Sequence, residues 1–301
     1  MDIHVVRPGD TMYSVAQQYG VSMSRLLSDN QLPDPSRLVV GQTLVIQYPQ
    51  VTHTVQAGET LTSIAGAYGT SVRQLLRNNP ELQGESRIVP GQVLVISYRQ
   101  AREGTLSVNG YAYPYIDRGL LQRTLPYLSD LTPFTYGFTP QGTLIVPQDQ
   151  FLIDAALRMG VRPLLHLSTL TESGNFSNEL AHTAITDRAV QNRLIAQLLE
   201  VIAQKGYRGL DVDFEFVSAS DAEGYAALIS RLREALSPMG MPVIVALAPK
   251  IYADQPGLLY QGHNYGLLSK AADFVFLMTY EWGYTYQHLR YMLKRTPTDK
   301  E

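Results

Sequence analysis

The chain of 301 residues contains no cysteine, which excludes disulfide cross-links, thiolate metal sites and cysteine nucleophiles. Concentrated positive charge is also missing: 24 Lys and Arg against 27 Asp and Glu leave a net charge of -3 and a pI near 6.1. Nucleic acid and anionic membrane surfaces are therefore excluded as expected partners, because both are held by basic patches. No apolar run is long enough to span a bilayer, and residues 1–6 have neither the basic nor the apolar region of a secretory leader. The expected site of synthesis is the cytosol, without a signal peptide. What is present is a composition with 45% hydrophobic and 17% charged residues, enough for a substantial core and more than one domain.

The first hundred residues repeat. At an offset of 49, His4 falls on His53, Gly9 on Gly58, Thr11 on Thr60, Gly20 on Gly69, Leu26 on Leu75 and Asn30 on Asn79. After one inserted residue, Gly41-Gln42 falls on Gly91-Gln92. Each unit reads as strand, helix, helix, strand. In the second copy, Leu61, Ile64, Ala65 and Tyr68 form an apolar stripe at helical spacing, and Pro80 marks the exit from a second short helix.

Both copies carry H-x-V-x-x-G-[DE]-T, a helix ending in Tyr-Gly, Leu-Leu-x-x-Asn and Gly-Gln-x-Leu-x-Ile, and each resembles the LysM module. The resemblance implies binding of peptidoglycan or another N-acetylglucosamine-containing glycan, chitin included, in a shallow groove. Its lining would be Gly9, Asp10, Thr11, Asn30 and Leu32 in the first copy, and Gly58, Glu59, Thr60, Asn79 and Pro80 in the second. A purely structural reading stands beside it: the glycines permit the turn, and Asp10 or Thr11 caps the helix. The expected modules cover 1–48 and 51–98.

From residue 104 to 301 the pattern changes to strands separated by amphipathic helices. Strands are predicted at 106–113, 134–138, 162–167, 209–216, 242–247 and 273–280. Thr186 is predicted to cap a helix bearing Val190, Leu194, Ile195, Leu198 and Ile202, and Ser220 with Glu223 to form a capping box for the next. Alternation of this kind argues for an α/β fold with a parallel sheet, doubly wound or a (β/α)8-type TIM barrel.

The segment Leu210-Asp211-Val212-Asp213-Phe214-Glu215 favours the barrel. If it is a strand throughout, Asp211, Asp213 and Glu215 share one face. Acids pointing inward near a strand's C-terminal end suit a barrel mouth, whereas a sheet buried on both faces tolerates them poorly. Crowded carboxylates repel one another, which displaces at least one pKa upward and keeps an acid protonated for catalysis. Three inward acids would also suit Mg²⁺ or Ca²⁺.

The same segment resembles the D-G-x-D-x-D-x-E signature of glycoside hydrolase family 18, with Arg208 standing where the first Asp is usual. Phe276-Leu277-Met278-Thr279-Tyr280-Glu281-Trp282 is similar to that family's M-x-Y-[DE] segment, which has no place in a metal site. With the LysM pair in front, the chain resembles spore cortex hydrolases of the SleL or YaaH type. The resemblance implies that Glu215 is the acid and base, and that Asp213, Asp211 and Tyr280 handle the substrate's acetamide. It further implies that Glu281, Trp282, Tyr111 and Asn175 line the sugar cleft, with no metal and no cofactor. Nineteen tyrosines pair an apolar face with a polar tip, as sugar binding requires, without proving such a site. His166 and His263 read as structural histidines.

Only 21 residues follow Tyr280, whereas each further β/α unit takes roughly 25–30 residues in a whole barrel. The expectation is a barrel lacking about two C-terminal strands. The expected function is cleavage of N-acetylglucosaminyl bonds in spore cortex peptidoglycan. A chitinase and a non-catalytic coat protein with a vestigial hydrolase domain are the alternatives. The expected location is the spore coat and cortex, among spore coat proteins, after synthesis in the mother cell.

Overall fold

The computed structural model of the chain describes residues 1–279 except 33, 35, 100–103, 172–175 and 258. The first module runs β1 (Asp2–Val5), α1 (Met12–Tyr19), α2 (Met23–Asn30) and β2 (Thr43–Ile46), with β1 antiparallel to β2. The second repeats it as β3 (Pro49–Thr54), α3 (Leu61–Ala67), α4 (Val72–Asn78) and β4 (Val93–Tyr98). Thr11 and Thr60 each cap the first helix of their module, through reciprocal bonds with Ser14 and Ser63. The helical stripes meet the hairpins in two small cores, one around Val15, Leu26 and Leu44, the other around Ile64, Leu75 and Leu94.

Polar contacts join the modules. The Arg25 guanidinium donates to the Asp29 carboxylate and to the Asn78 carbonyl at 3.0 Å, and the Tyr98 hydroxyl donates to the same carbonyl at 3.0 Å. Arg73 on α4 then reaches forward, donating to the carbonyls of Pro126 (3.0 Å), Gly160 (3.2 Å) and Leu128. The second module is thereby tied to the start of the following domain.

That domain continues with β5 (Asn109–Ala112), α5 (Arg118–Thr124), β6 (Asp130–Pro133), β7 (Gly137–Phe138), β8 (Leu144–Ile145), α6 (Gln150–Arg158) and β9 (Arg162–Pro163). After Leu164 come β10 (Leu165–Ser168), α7 (Asn178–Thr186), α8 (Arg188–Lys205), β11 (Leu210–Asp213), α9 (Ala222–Leu236), β12 (Val243–Leu247), α10 (Tyr265–Ala271) and β13 (Phe274–Leu277). The chain packs as two compact units, Met1–Phe134 with Asp149–Pro163, and Thr135–Gln148 with the residues from Leu164 onward. In the first, β5, β6 and β9 form a parallel sheet; in the second, β10, β11, β12 and β13 do. Within both sheets the strands stand in chain order, while the β7–β8 hairpin between β6 and β9 forms an antiparallel pair of its own. A doubly wound sheet would reverse that order at a switch point, so the topology is that of a (β/α) barrel.

Several sequence expectations need correction. The second strand begins at Asp130, ahead of the expected 134–138, and Pro133 closes it because proline has no N–H for a continuing ladder. The fourth ends at Asp213, short of the expected 216, since Phe216 takes a left-handed conformation with φ 57°. Thr186 is the last residue of α7 and its hydroxyl donates back to the His182 carbonyl, while Asp187 caps α8. Ser220 belongs to a 3-10 turn, Ala219–Asp221, and the capping box with Glu223 does not form.

Candidate active site

In the second unit β11 alternates sharply. Leu210 and Val212 are buried on one face, while Asp211 and Asp213 occupy the other beside His166 and Ser168 of β10, their register partners. All four polar residues are buried, Asp213 at 6% exposure and the others at or below 1%. His166 Nε2 lies 3.5 Å from Asp213 Oδ2, an ion-pair distance, and His166 Nδ1 is 2.5 Å from Thr135 Oγ1. The Thr135 hydroxyl is also 3.0 Å from Ser168 Oγ. Asp213 Oδ1 is buried and has no hydrogen-bond partner among the described residues.

Glu215 does not share the strand with these acids. Two residues beyond the end of β11, it is half-buried, so it meets solvent where the aspartates do not. Its neighbours fix its position. The Phe214 ring is fully buried and stacks on Tyr225 of α9, with centroids 5.5 Å apart and planes 3° apart. His263 donates from Nε2 to the Phe214 carbonyl at 2.9 Å and accepts the Ala248 N–H at Nδ1 at 3.0 Å, which sets its tautomer. A Cβ on Gly262 would stand 2.3 Å from the Val217 carbonyl oxygen, so this glycine lets the acid-bearing loop lie flat on its support. Burial holds the His263 imidazole below its ordinary pKa. Burial, reinforced by the charges of Asp213 and Asp211, pushes the Tyr225 phenol well up.

Asn175, Tyr280, Glu281 and Trp282 lie outside the described residues. Tyr111 sits on β5 of the first unit, 37% exposed. Just past the end of that strand, Tyr113 and Tyr115 stack at 5.0 Å and stay exposed, an aromatic pair at the strand end where barrel enzymes bind substrate. Sequence reasoning passed over both. His166, which reads as structural from the sequence, lies in Leu165-His166-Leu167-Ser168, a segment with the same alternation as β11. Among the described residues no group of three or more His, Asp or Glu side chains is placed to hold a metal ion.

In the LysM modules the proposed groove residues divide. Gly9 (φ 89°) and Gly58 (φ 83°) form exposed turns, and Thr11 and Thr60 are exposed caps. Asp10 does not cap: it accepts from the Arg7 N–H and contacts His4 Nε2 at 2.9 Å, as Glu59 does with Gln56 and His53 at 2.7 Å. The backbone bond from Arg7, then that to His4, holds the Asp10 carboxyl below its usual pKa. Leu32 packs against the first core, and Pro80 is half-buried at the start of a 3-10 turn. Asn79 is a correction. Fully buried, it bonds the Leu75 carbonyl and both backbone groups of Val95, so its side chain lines no groove. Asn30 makes the equivalent bonds to Leu26 and Val45 in the first module, half-buried.

The LysM domain description matches residues 4–47 and 53–97, and that of the glycosyl hydrolases family 18 matches residues 119–291. The cortical fragment-lytic enzyme of Bacillus subtilis (strain 168) is 34% identical over 305 residues, covering 95% of this chain and 67% of that protein. The spore cortex-lytic enzyme SleL of Bacillus megaterium QM B1551 superposes with a TM-score of 0.72 at 29% identity, over 94% of this chain and 66% of that one. A chitinase of Chromobacterium violaceum ATCC 12472 shares the barrel fold at a TM-score of 0.54 and 24% identity, over 60% of this chain and 57% of that one. The chain thus spans about two thirds of the length of the curated relatives it matches along nearly its whole extent.

Proposed function

This chain belongs to the glycosyl hydrolases family 18 and carries two LysM domains, and from that premise we propose that it cleaves N-acetylglucosaminyl bonds in spore cortex peptidoglycan. The observation that carries the reading is the division of labour at the end of β11: two buried aspartates, then a half-exposed Glu215 on a braced turn. A general acid must meet both substrate and water, and the groups that hold the acetamide must be shielded from water.

In this mechanism Glu215 donates a proton to the glycosidic oxygen as the bond to the anomeric carbon breaks. The substrate's own acetamide oxygen attacks that carbon, giving an oxazolinium ion, so no second protein nucleophile is needed. The Glu215 carboxylate then takes a proton from water, which opens the ring with net retention. Asp213 Oδ1 accepts the acetamide N–H and its charge stabilises the oxazolinium, while Asp211 shares a proton with Asp213. Tyr280 donates to the acetamide oxygen; Glu281, Trp282, Tyr111 and Asn175 contact the sugars. The LysM domains hold the enzyme on the glycan through the turns at Gly9, Asp10, Thr11 and Leu32, and at Gly58, Glu59, Thr60 and Pro80. No described helix is long and apolar enough to cross a membrane, and the proposed place of action is the cortex.

The test is release of reducing N-acetylglucosamine ends from cortex fragments by the intact chain, with Glu215→Gln as control. Turnover by the wild type and a loss of at least ~100-fold in the variant are expected. Equal rates, or faster cleavage of chitin oligomers than of cortex fragments, would refute the assignment.

A further inference from the structure

Behind Asp213 sits a buried histidine that the proposed mechanism does not use. His166 is 1% exposed, on the strand next to β11, and its ring spans two partners: Asp213 at Nε2 and Thr135 at Nδ1. The main chain holds it firmly, since its carbonyl accepts the Tyr136 N–H at 2.9 Å. We infer that His166 is a positioning residue that holds Asp213 Oδ2 through Nε2–H, so that Asp213 Oδ1 is kept as the acceptor for the substrate's acetamide N–H. The inference rests on the proposed role of Asp213 and adds a residue that this role requires.

Three observations support it. Asp213 divides its two oxygens: Oδ2 faces His166, whereas Oδ1 is buried with no hydrogen-bond partner among the described residues. A buried carboxylate oxygen without a donor costs free energy that a bound donor would recover, and the acetamide N–H is such a donor. Second, the hydroxyl behind the ring adapts. Thr135 can donate to Nδ1, which leaves the neutral ring with its proton on Nε2. Alternatively it can turn its proton to Ser168 Oγ, 3.0 Å away, and accept from Nδ1–H. In the first state Nε2 carries hydrogen toward Asp213. Third, the register puts His166 and Ser168 on the face that carries Asp211 and Asp213. A merely space-filling histidine needs none of this.

Among the described residues, the other ionisable groups near Asp213 are Asp211 on its own strand, Glu215 beyond it, Tyr225 of α9 and His263, which also feels the charge of Lys250. His263 already spends both ring nitrogens on the backbone of Ala248 and Phe214.

The test compares His166→Leu, which keeps bulk but no donor, with His166→Gln, which keeps an N–H without charge. For the leucine variant kcat should fall by about 100-fold, the scale expected when a reacting group is misplaced by about 1 Å. The glutamine variant should recover at least about tenfold of that kcat. A leucine variant with native unfolding temperature and kcat within twofold of wild type, or a glutamine variant no faster than the leucine variant, would overturn the inference. A second arm is independent of turnover. With ¹⁵N-labelled histidine in the full chain, Asp213→Asn should change the His166 imidazole shifts; unchanged shifts would overturn the inference even in an active enzyme. A changed imidazole signal in a chain that cuts no glycan would support the contact and refute the activity.

Discussion

Replacing Asn79 by alanine tests whether this residue belongs to the fold of the second LysM domain or to its ligand. The side chain is fully buried and makes three bonds: to the Leu75 carbonyl at 2.8 Å, to the Val95 carbonyl at 3.0 Å and from the Val95 N–H at 2.8 Å. Val95 lies opposite Thr52 in the β3–β4 ladder, and Asn79 satisfies its backbone on the side away from β3, as a neighbouring strand would. Leu75 supplies a carbonyl near the end of α4, where helical partners run out. Alanine orphans all three groups. At about 1–3 kcal/mol for each buried unsatisfied group, with carbonyls at the low end, the loss is about 4 kcal/mol. A module of this size holds only a few kcal/mol in all, on the order of 0.1 kcal/mol per residue, so the variant should leave the domain largely unfolded. Hydrogen exchange of the full chain, followed by mass spectrometry, reads this directly. Peptides within 53–97 should exchange several hundred-fold faster or more, at one factor of ten per ~1.4 kcal/mol. Asn79→Asp should be at least as damaging, because it aims a carboxylate at two carbonyls. The reasoning fails if exchange rises less than about fivefold, and it fails outright if glycan binding weakens while exchange is unchanged.

Two further outcomes follow from the support beneath Glu215. Gly262→Ala must displace the Val217 carbonyl, which a Cβ would approach to 2.3 Å, so kcat should drop by roughly tenfold to 100-fold with an unfolding midpoint lowered by only a few degrees; an unchanged kcat would detach this glycine from the site. His263 gives a pH signature. Burial lowers its pKa in the folded state, so below the ordinary value of about 6.5 the unfolded chain binds the extra proton first. Stability of the second unit should therefore fall as pH drops below about 6.5, by up to ~1.4 kcal/mol per pH unit, until the folded-state pKa is reached. Protonation would also put a hydrogen on Nδ1 facing the Ala248 N–H. Denaturant midpoints measured at pH 7 and 5 check this, with His263→Asn expected to flatten the difference.

Much of the architecture was legible in the linear pattern. The 49-residue offset, the threonine caps and the apolar stripes are local regularities with period 3.6 or 2, and the LysM elements fall on them. Strand identity in the barrel could be read in the same way, because apolar runs punctuated by glycine and proline need only local propensity. The errors came where local preference is overridden. Asp187 outcompetes Thr186 as a cap because α7 runs through Thr186, a consequence of how two helices share one junction. Asn79 looked like a surface residue in a loop signature, and only the approach of β4 made it a buried bridge.

The sequence by itself determined the order of the modules, the alternation that makes a β/α domain and the identity of the acids on β11. Composition, periodicity and turn residues suffice for these, since each depends on neighbours within a few positions. Tertiary structure decided how the acids differ. Identical spacing put three carboxylates on one strand face, but the left-handed turn at Phe216 and the packing of Phe214 on Tyr225 end the strand after two. Asp211 and Asp213 are left buried and Glu215 meets solvent, while the parallel register carries His166 and Ser168 to the same face from about 45 positions earlier in the chain. Spacing along a strand cannot encode that distinction, because burial and the identity of lateral neighbours depend on which strands pair and where the chain turns away.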